Sequence, residues 1–405
     1  MIFLDCETDM AAPPSKNLVC VNINGVVYER RKLGDTAMRE LFESIKGEVI
    51  CGHNIKFDIK TIYWNFGVLL DKPWCTLVAA KILRNGMREK SGAPIDNSLV
   101  ACLSYFLGIR EEVHKQKKEI RTKYSLKRDL TPLELEYVKA DVVHLPALQE
   151  RLEALVKEAK LDFVFREEMA LIPVLVKKEV RGVRVDVAKL EWLTKVWKRG
   201  KSIAVRMLDR EVGALMNRSG RPMLFITYGY GSTKQVTQIF KDLRLPVPVK
   251  KERTKNEVIL KESNDEDTLT EYLYEYPDSP MKRFIEIYLW YKEIEKLIST
   301  YGDTLISLVD ANGYVHTEYN QLGALTGRLS SSAPNLQNIG NQGHGAKVRT
   351  CFLPDEGQLF VDNDMKSAEI RIAADLSGEK LLVANVLEGT DMHSQLASAS
   401  YSVIC

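Results

Sequence analysis

Residues 2–8 read Ile-Phe-Leu-Asp-Cys-Glu-Thr, an apolar run that closes on two acids, Asp5 and Glu7. Alternation along an extended strand puts both carboxylates on one face. Alone the pair says little: with acids at roughly one residue in seven, about seven acid-x-acid pairs arise by chance. The preceding apolar run changes that weight, because an acidic pair at the end of a buried strand is costly to desolvate unless a cation compensates. Working outward, LVCVNI (18–23), GVVYER (25–30) and EVICGHN (48–54) read as further strands, and LVAAKIL (77–83) and LELEYVKADVVHLPALQERLEALV (133–156) as helices. Strands that precede helices with crossovers predict an α/β sheet layered with helices over residues 1–155.

Beyond it the pattern turns helical, with EEMALIPVLVKKEV (167–180), LEWLTKVWKRG (190–200) and MKRFIEIYLWYKEIEKLISTYGDTLISLV (281–309). A mixed segment follows the Asn312-Gly313 turn, where YVHTEYN (314–320) and GQLFVDND (357–364) read as strands. The expected division is 1–155, 156–310 and 311–405, which suits 405 residues at roughly 150 per domain.

Composition narrows the class. Hydrophobic residues are 45% and charged residues 28%, a globular mixture, and Lys+Arg 57 against Asp+Glu 55 leaves +2, so any nucleic-acid surface must be local. Neither a basic leader nor an apolar stretch of bilayer length is present, so secretion and membrane contact are not expected. The seven cysteines (Cys6, Cys20, Cys51, Cys75, Cys102, Cys351, Cys405) are scattered without a CxxC, which fits neither a disulfide framework nor a zinc site and points to the cytoplasm. Cys6, beside the acids, reads as a small apolar filler.

Two more pairs join Asp5 and Glu7. In GHNIKFDIKTI (52–62) Asn54 and Asp58 are four apart, and in YVKADVVHL (137–145) Tyr137 and Asp141 are four apart, each pair expected on one helix face. Singly, each also reads as a solvated face or a capped turn. Together, four carboxylates facing one another would repel and hold protons near neutral pH. Two divalent cations remove that conflict. Hard oxygen ligands suit Mg²⁺ or Mn²⁺, and two ions about 3.5–4 Å apart can clamp the attacking and leaving oxygens of a phosphodiester. A tyrosine hydroxyl one turn from such a carboxylate can orient the attacking water.

The D-x-E strand, N-x-x-x-D helix and Y-x-x-x-D helix resemble the three exonuclease motifs of the DEDD superfamily, tyrosine subtype, on its ribonuclease H-like fold. The resemblance covers the first 150 residues or so. It implies 3′→5′ hydrolysis of single-stranded ends, with Asp5, Glu7, Asp58 and Asp141 as ligands of two Mg²⁺, Tyr137 orienting the nucleophile and Asn54 against the substrate. Cys75-Thr76 departs from the Asp that relatives often carry before the Thr, at a position that is not a ligand.

LTGRLSSSAPNLQNIG (325–340) is the most specific string. Its arginine, serines and amides could hydrogen-bond sugar, phosphate and minor-groove acceptors without reading sequence, or simply form a polar loop. It resembles, nearly letter for letter, the primer-template signature of family A DNA polymerases, the polymerase I type. That implies Arg328 at the primer end and Asn335, Gln337 and Asn338 against the duplex. EEMALIPVLVKKEVRGVRVD, GYGSTKQVTQIF and KLISTYGDTL resemble the entry to the polymerase region, the thumb and the helix before the palm. VKKERTK, with Lys250, Lys251, Arg253 and Lys255, would be a thumb-tip backbone contact or a solvated loop, and the basic stretch from Lys115 to Arg128 is equally open. GQLFVDNDMKSAEIRIAADLSG resembles palm motif A, in which the spacing to Glu369 and Arg371 selects Asp364 as ligand of the polymerase magnesium ions and sets Glu369 under the incoming sugar. Met365, Lys366, Ser367 and Ala368 depart from the commoner Tyr-Ser-Gln-Ile.

The sequence ends at YSVIC, before the family's fingers and the palm hairpin with its second aspartate, and Met1 stands almost on the first exonuclease strand. The expectation is therefore a fragment of a family A DNA polymerase from a phage-like genome, an α/β exonuclease domain followed by a helical thumb region and the start of an α+β palm. It would act on single-stranded 3′ ends and bind primer-template DNA. It would polymerise dNTPs only if a second chain supplied the rest. Two alternatives stay open: a stand-alone 3′→5′ exonuclease, and an inactive DNA-binding remnant of a split polymerase.

Overall fold

A computed structural model describes residues 1–9, 16–89, 92–109, 124–220, 228–253, 258–392, 394, 395, 397, 398 and 400. The β-branched and apolar runs near the N-terminus form strands: β1 (Ile2–Thr8), β2 (Leu18–Ile23), β3 (Val26–Glu29), β4 (Ile50–Gly52) and β5 (Pro73–Cys75). They make one sheet in the order β3-β2-β1-β4-β5, antiparallel among the first three and parallel from β1 through β4 to β5. The tight β2–β3 turn uses Asn24 and Gly25, both at positive φ, the residue pair that a two-residue hairpin favours.

Helices α1 (Arg30–Ser44, broken at Gly34), α2 (Ile55–Phe66), α3 (Thr76–Leu83), α4 (Leu99–Leu107), α5 (Pro132–Val143) and α6 (Leu145–Glu158) complete the layers. At Gly52, between β4 and α2, a Cβ would stand 2.7 Å from the Leu4 carbonyl oxygen and 2.6 Å from Ile55 Cδ1, so only glycine lets the helix start this close to β1. The next helix, α7 (Asp162–Arg181), inserts Met169, Ile172 and Val176 into the same core as Leu4, Ile50 and Ile59. The sheet's packing thus continues past residue 155.

After β6 (Val183–Val185), the long α8 (Val187–Arg218) starts a helical layer with α9 (Thr233–Asp242), the hairpin β7 (Val249–Arg253) and β8 (Val258–Glu262), α10 (Glu266–Glu275), α11 (Lys282–Tyr301) and the short α12 (Asp303–Ile306). Its core joins Leu208 and Val212 of α8 to Phe240, Leu269, Phe284 and Tyr288. Lys250 pairs with Asp265 at 3.2 Å, while Lys255 and residues 115–123 of the basic stretch lie outside the described residues.

The stretch 314–320 forms two strands, not the one expected. β9 (Tyr314–Val315) joins β6 and the later β12 (Phe352–Leu353), whereas β10 (Glu318–Asn320) pairs with β11 (Ser330–Ser332). The break falls where His316 Nδ1 meets the Glu179 carbonyl at 2.9 Å and Thr317 Oγ1 donates to the Pro334 carbonyl at 2.6 Å. Those side-chain bonds turn the backbone from one sheet to the other. Helix α13 (Gly343–Arg349) precedes β12.

Residues 354–405 form a second compact unit, described by itself, with α14 (Ala368–Ser377) and α15 (Lys380–Glu388). Here the expected strand over GQLFVDND is absent: residues 358–365 have no regular structure. Leu359 and Val361 are 87% and 89% exposed, and no strand among the unit's described residues offers backbone partners. Strand formation depends on that partner more than on intrinsic propensity. No helix among the described residues is long and apolar enough to cross a membrane.

Helix α5 matters to the site and is firmly started. Thr131 Oγ1 accepts the Glu134 N–H, Glu134 Oε2 accepts the Thr131 N–H, and Arg128 grips both Glu134 oxygens at 2.7 and 2.6 Å. The Arg128 bonds hold the Glu134 carboxyl at about 2. Because the folded pKa lies below the unfolded one, this stabilisation is complete above the ordinary carboxylate range and lost as pH falls toward 2. Glu134→Gln should cost about 1–2 kcal/mol at pH 7, with the gap to wild type closing in thermal melts as pH drops from about 4.5. Equal melting temperatures at pH 7 would contradict this.

Candidate active site

Strand β1 presents Asp5 and Glu7 opposite Asn22 and Cys20 of β2. Asn22 is fully buried and donates from Nδ2 to the Val138 carbonyl at 2.8 Å, which ties α5 to the sheet and sets Asp141 in place. The outcome is a cluster: carboxylate oxygens of Asp5, Glu7 and Asp141 all lie within 4.8 Å of one another. Asp58, from α2, adjoins them. Its Oδ1 accepts the N–H of Cys6, the residue between the two β1 acids, at 2.8 Å.

Burial is the first cause that drives the Asp58 carboxyl well above its ordinary range, and the nearby Asp5 charge adds to it; the Cys6 N–H opposes them. Burial and the Asp5 charge both disfavour the ionised form of Asp58. The Cys6 thiol is likewise pushed up, by burial and then by Asp58, so it stays neutral and behaves as a filler.

Asn54 is not on the α2 face expected from its spacing to Asp58. It precedes the helix in the left-handed region, with φ 63°, and reaches the site from the end of the helix. Tyr137 does lie one turn before Asp141 on α5, but its side chain is fully buried with Val19, Cys20, Tyr124, Leu130 and Val138.

A cleft of about 1030 Å³ opens over the acids, lined by Asp5, Glu7, Asn54, Asp58 and Asp141. The sequence reading missed several other lining residues: Lys16, His53, Phe57, Lys81 and the turn Asp96-Asn97-Ser98. His53 Nδ1 meets Thr76 Oγ1 at 2.9 Å, and Lys16 Nζ stands 5.5 Å over the Phe57 ring. Only the turn carried a readable signal, since a serine ahead of the apolar LVACLSYFL marks a helix start, and Ser98 Oγ does accept the Ala101 N–H.

The clustered donors fit divalent cations. They are carboxylate oxygens, the hard ligands that Mg²⁺, Mn²⁺ and Ca²⁺ take, and a cation among them would offset the burial and the Asp5 charge that disfavour ionised Asp58.

Elsewhere, the β10–β11 hairpin carries the Thr326-Gly327-Arg328 turn, with Gly327 at φ 77° and Arg328 exposed. The loop after it exposes Asn335, Gln337 and Asn338. From below, Ser331 Oγ meets Asn335 Oδ1 at 3.0 Å and accepts the Gln337 N–H at 3.2 Å, and Tyr301 Oη donates to the Asn338 carbonyl at 3.0 Å. In the C-terminal unit Asp364 and Glu369 are exposed, the first in the irregular segment and the second in the first turn of α14.

An acid-lined cleft on this sheet, followed by a helical layer and a polar hairpin, agrees with what known proteins show. The 3'-5' exonuclease family matches residues 2–157 and DNA polymerase family A matches residues 221–404. Thermostable DNA polymerase I of Thermus caldophilus is 35% identical over 272 residues, covering 65% of this chain and 30% of that protein. DNA polymerase I of Borreliella burgdorferi is 27% identical over 387 residues, covering 95% and 38%. The POL domain of Pol1 from M. smegmatis, solved in complex with DNA primer-template and dNTP, shares the fold at a TM-score of 0.72 and 22% identity, over 99% of this chain and 63% of that one. Residues 221–404 thus belong to DNA polymerase family A, and a 3'-5' exonuclease domain, residues 2–157, lies ahead of them. It spans about 30% of the length of the first Thermus relative.

Burial and the Asp5 charge raise the Asp58 pKa while a bound cation would lower it, so metal affinity should fall as pH falls, with proton release measurable by calorimetry in buffers of different ionisation enthalpy. Asp58→Asn should weaken Mn²⁺ binding by about tenfold or more and abolish most of that pH dependence. Unchanged affinity with no proton release would refute this account of Asp58.

Proposed function

We propose that this chain removes nucleotides from single-stranded 3′ ends of DNA in the N-terminal cleft, as the proofreading part of a family A polymerase. The observation that carries the reading is the meeting of Asp5, Glu7 and Asp141 oxygens within 4.8 Å, with Asp58 hydrogen-bonded to the strand between them. Asp5, Glu7, Asp58 and Asp141 would hold two Mg²⁺, for which Mn²⁺ could substitute. Bound there, the cations supply Lewis-acid polarisation of the phosphodiester and a more acidic water. Phe57 and Lys16 offer a ring and a charge for a terminal base and its phosphate, with Asn54 beside them. Tyr137, one turn before Asp141 on α5, would orient the attacking water.

The polymerase region is proposed to bind primer-template duplex through Arg328, Asn335, Gln337 and Asn338, all exposed. Asp364 would take metal and Glu369 the sugar of an incoming dNTP. That step needs fingers and palm polypeptide supplied beside the C-terminal unit, in this chain or a second one. The exposed Leu359, Val361, Leu376 and Leu387 support such a covering partner. We keep the functional division 1–155 for editing, 156–310 for connector and thumb, and 311–405 for palm. A cytoplasmic setting is supported by the six cysteines among the described residues, all free and buried.

The direct test is Mg²⁺-dependent shortening of 5′-labelled single-stranded DNA. Wild type should release nucleotides from the 3′ end. Asp5→Ala and Asp141→Ala should each fall by about 10³-fold or more, and Tyr137→Phe by roughly 10²-fold. Binding of primer-template without any shortening would instead support the DNA-binding remnant, and shortening that persists in both aspartate variants would place the chemistry elsewhere.

A further inference from the structure

Strand β10 has two edges, and among the described residues only one pairs with another strand. There Glu318, Tyr319 and Asn320 face Ser332, Ser331 and Ser330 of β11. On the other edge, the Tyr319 N–H donates to Glu179 Oε1 at 2.9 Å and the Tyr319 carbonyl accepts Lys56 Nζ at 2.7 Å. Glu179 and Lys56 are themselves ion-paired. A carboxylate from α7 and an ammonium from α2 thus stand where the C=O and N–H of a third strand would be. Lys60, one turn further along α2, bridges the other Glu179 oxygen at 2.8 Å and Glu318 at 3.0 Å.

Two further bonds continue the line toward Arg328. Lys81 Nζ donates to the Gln321 carbonyl at 3.1 Å, and Asn85 Nδ2 to the Leu325 carbonyl at 3.2 Å. Lys81 also lines the exonuclease cleft, so one side chain links the cleft to the start of the loop between β10 and β11. Meanwhile α2, which holds one end of this clasp, carries Phe57 and Asp58 into the same cleft.

A buried ion-pair hub is a poor source of net stability, because desolvation offsets most of the attraction. Its value is geometric. An apolar contact would tolerate sliding of β10, whereas bonds to the N–H and C=O of one residue fix a single register. We propose that Glu179 is a positioning residue for editing: it fixes hairpin 318–332 against α2, so that a primer strand held at Arg328 is aligned with the cleft. This inference rests on the exonuclease reading above. A short free oligonucleotide can enter the cleft without the hairpin, whereas a frayed primer on a template cannot.

The experiment compares kcat/KM of the full chain on a single-stranded oligothymidine and on a primer-template with a mismatched 3′ end. Glu179→Gln should lower the primer-template value about tenfold more than the oligothymidine value, Glu179→Asp should restore part of the difference, and Asn85→Ala should shift the same ratio by about threefold. An equal fall on both substrates, or no change in the ratio, overturns the proposal. Should Glu179→Gln prove unfolded by circular dichroism, Glu179→Asp and Asn85→Ala decide the same ratio. If wild type cuts neither substrate, the exonuclease reading has failed, and amide hydrogen exchange then tests the clasp alone. Faster exchange across 318–332 in Asn85→Ala and Glu179→Asp, with β1 and β2 unchanged, supports it, and unchanged exchange overturns it.

Discussion

Like charge held in a small volume is the constraint around which the N-terminal half is arranged. Asp58 cannot ionise easily where it is placed, because the same packing that excludes water from it brings the Asp5 charge close. A fold that only needed stability would fill that position with an apolar residue. Gly52 lets α2 start close to β1, the buried Asn22 ties α5 to β2, and the double grip on Glu134 fixes the start of α5. The architecture concentrates repulsion and leaves cations to relieve it.

Much of this arrangement is legible in the chain itself. Four of the five strands of the N-terminal sheet follow from their apolar runs, whereas the three-residue β5 (Pro73–Cys75) is too short to carry such a signal, and the Tyr137-Asp141 spacing does place both residues on one helix. What escapes a sequence reading is conformation at single residues and contact across long separations. Nothing in GHNIKFD announces that Asn54 adopts a left-handed backbone, which removes it from the face its spacing implied. Nor does the four-residue rule say how deep Tyr137 lies, because depth depends on β2 and on Tyr124 packing over it.

The failures on the C-terminal side have a common physical origin. GQLFVDND has the composition of a strand and YVHTEYN that of one continuous strand, yet strand identity depends on neighbours. The first has no partner within its unit, and the second changes sheets at His316 and Thr317. Nothing local in GHNIKFDIKTI marks Lys56 and Lys60 as members of a buried ion-pair hub. Their partner Glu179 is 123 residues from Lys56, a pairing that no local pattern encodes.

The most direct measurement of the central claim is anomalous diffraction from crystals of this chain soaked in Mn²⁺. The account predicts two manganese peaks in the N-terminal cleft, in contact with carboxylates of Asp5, Glu7, Asp58 and Asp141. A cleft without manganese at saturating concentration, with the four carboxylates unchanged in position, would contradict it.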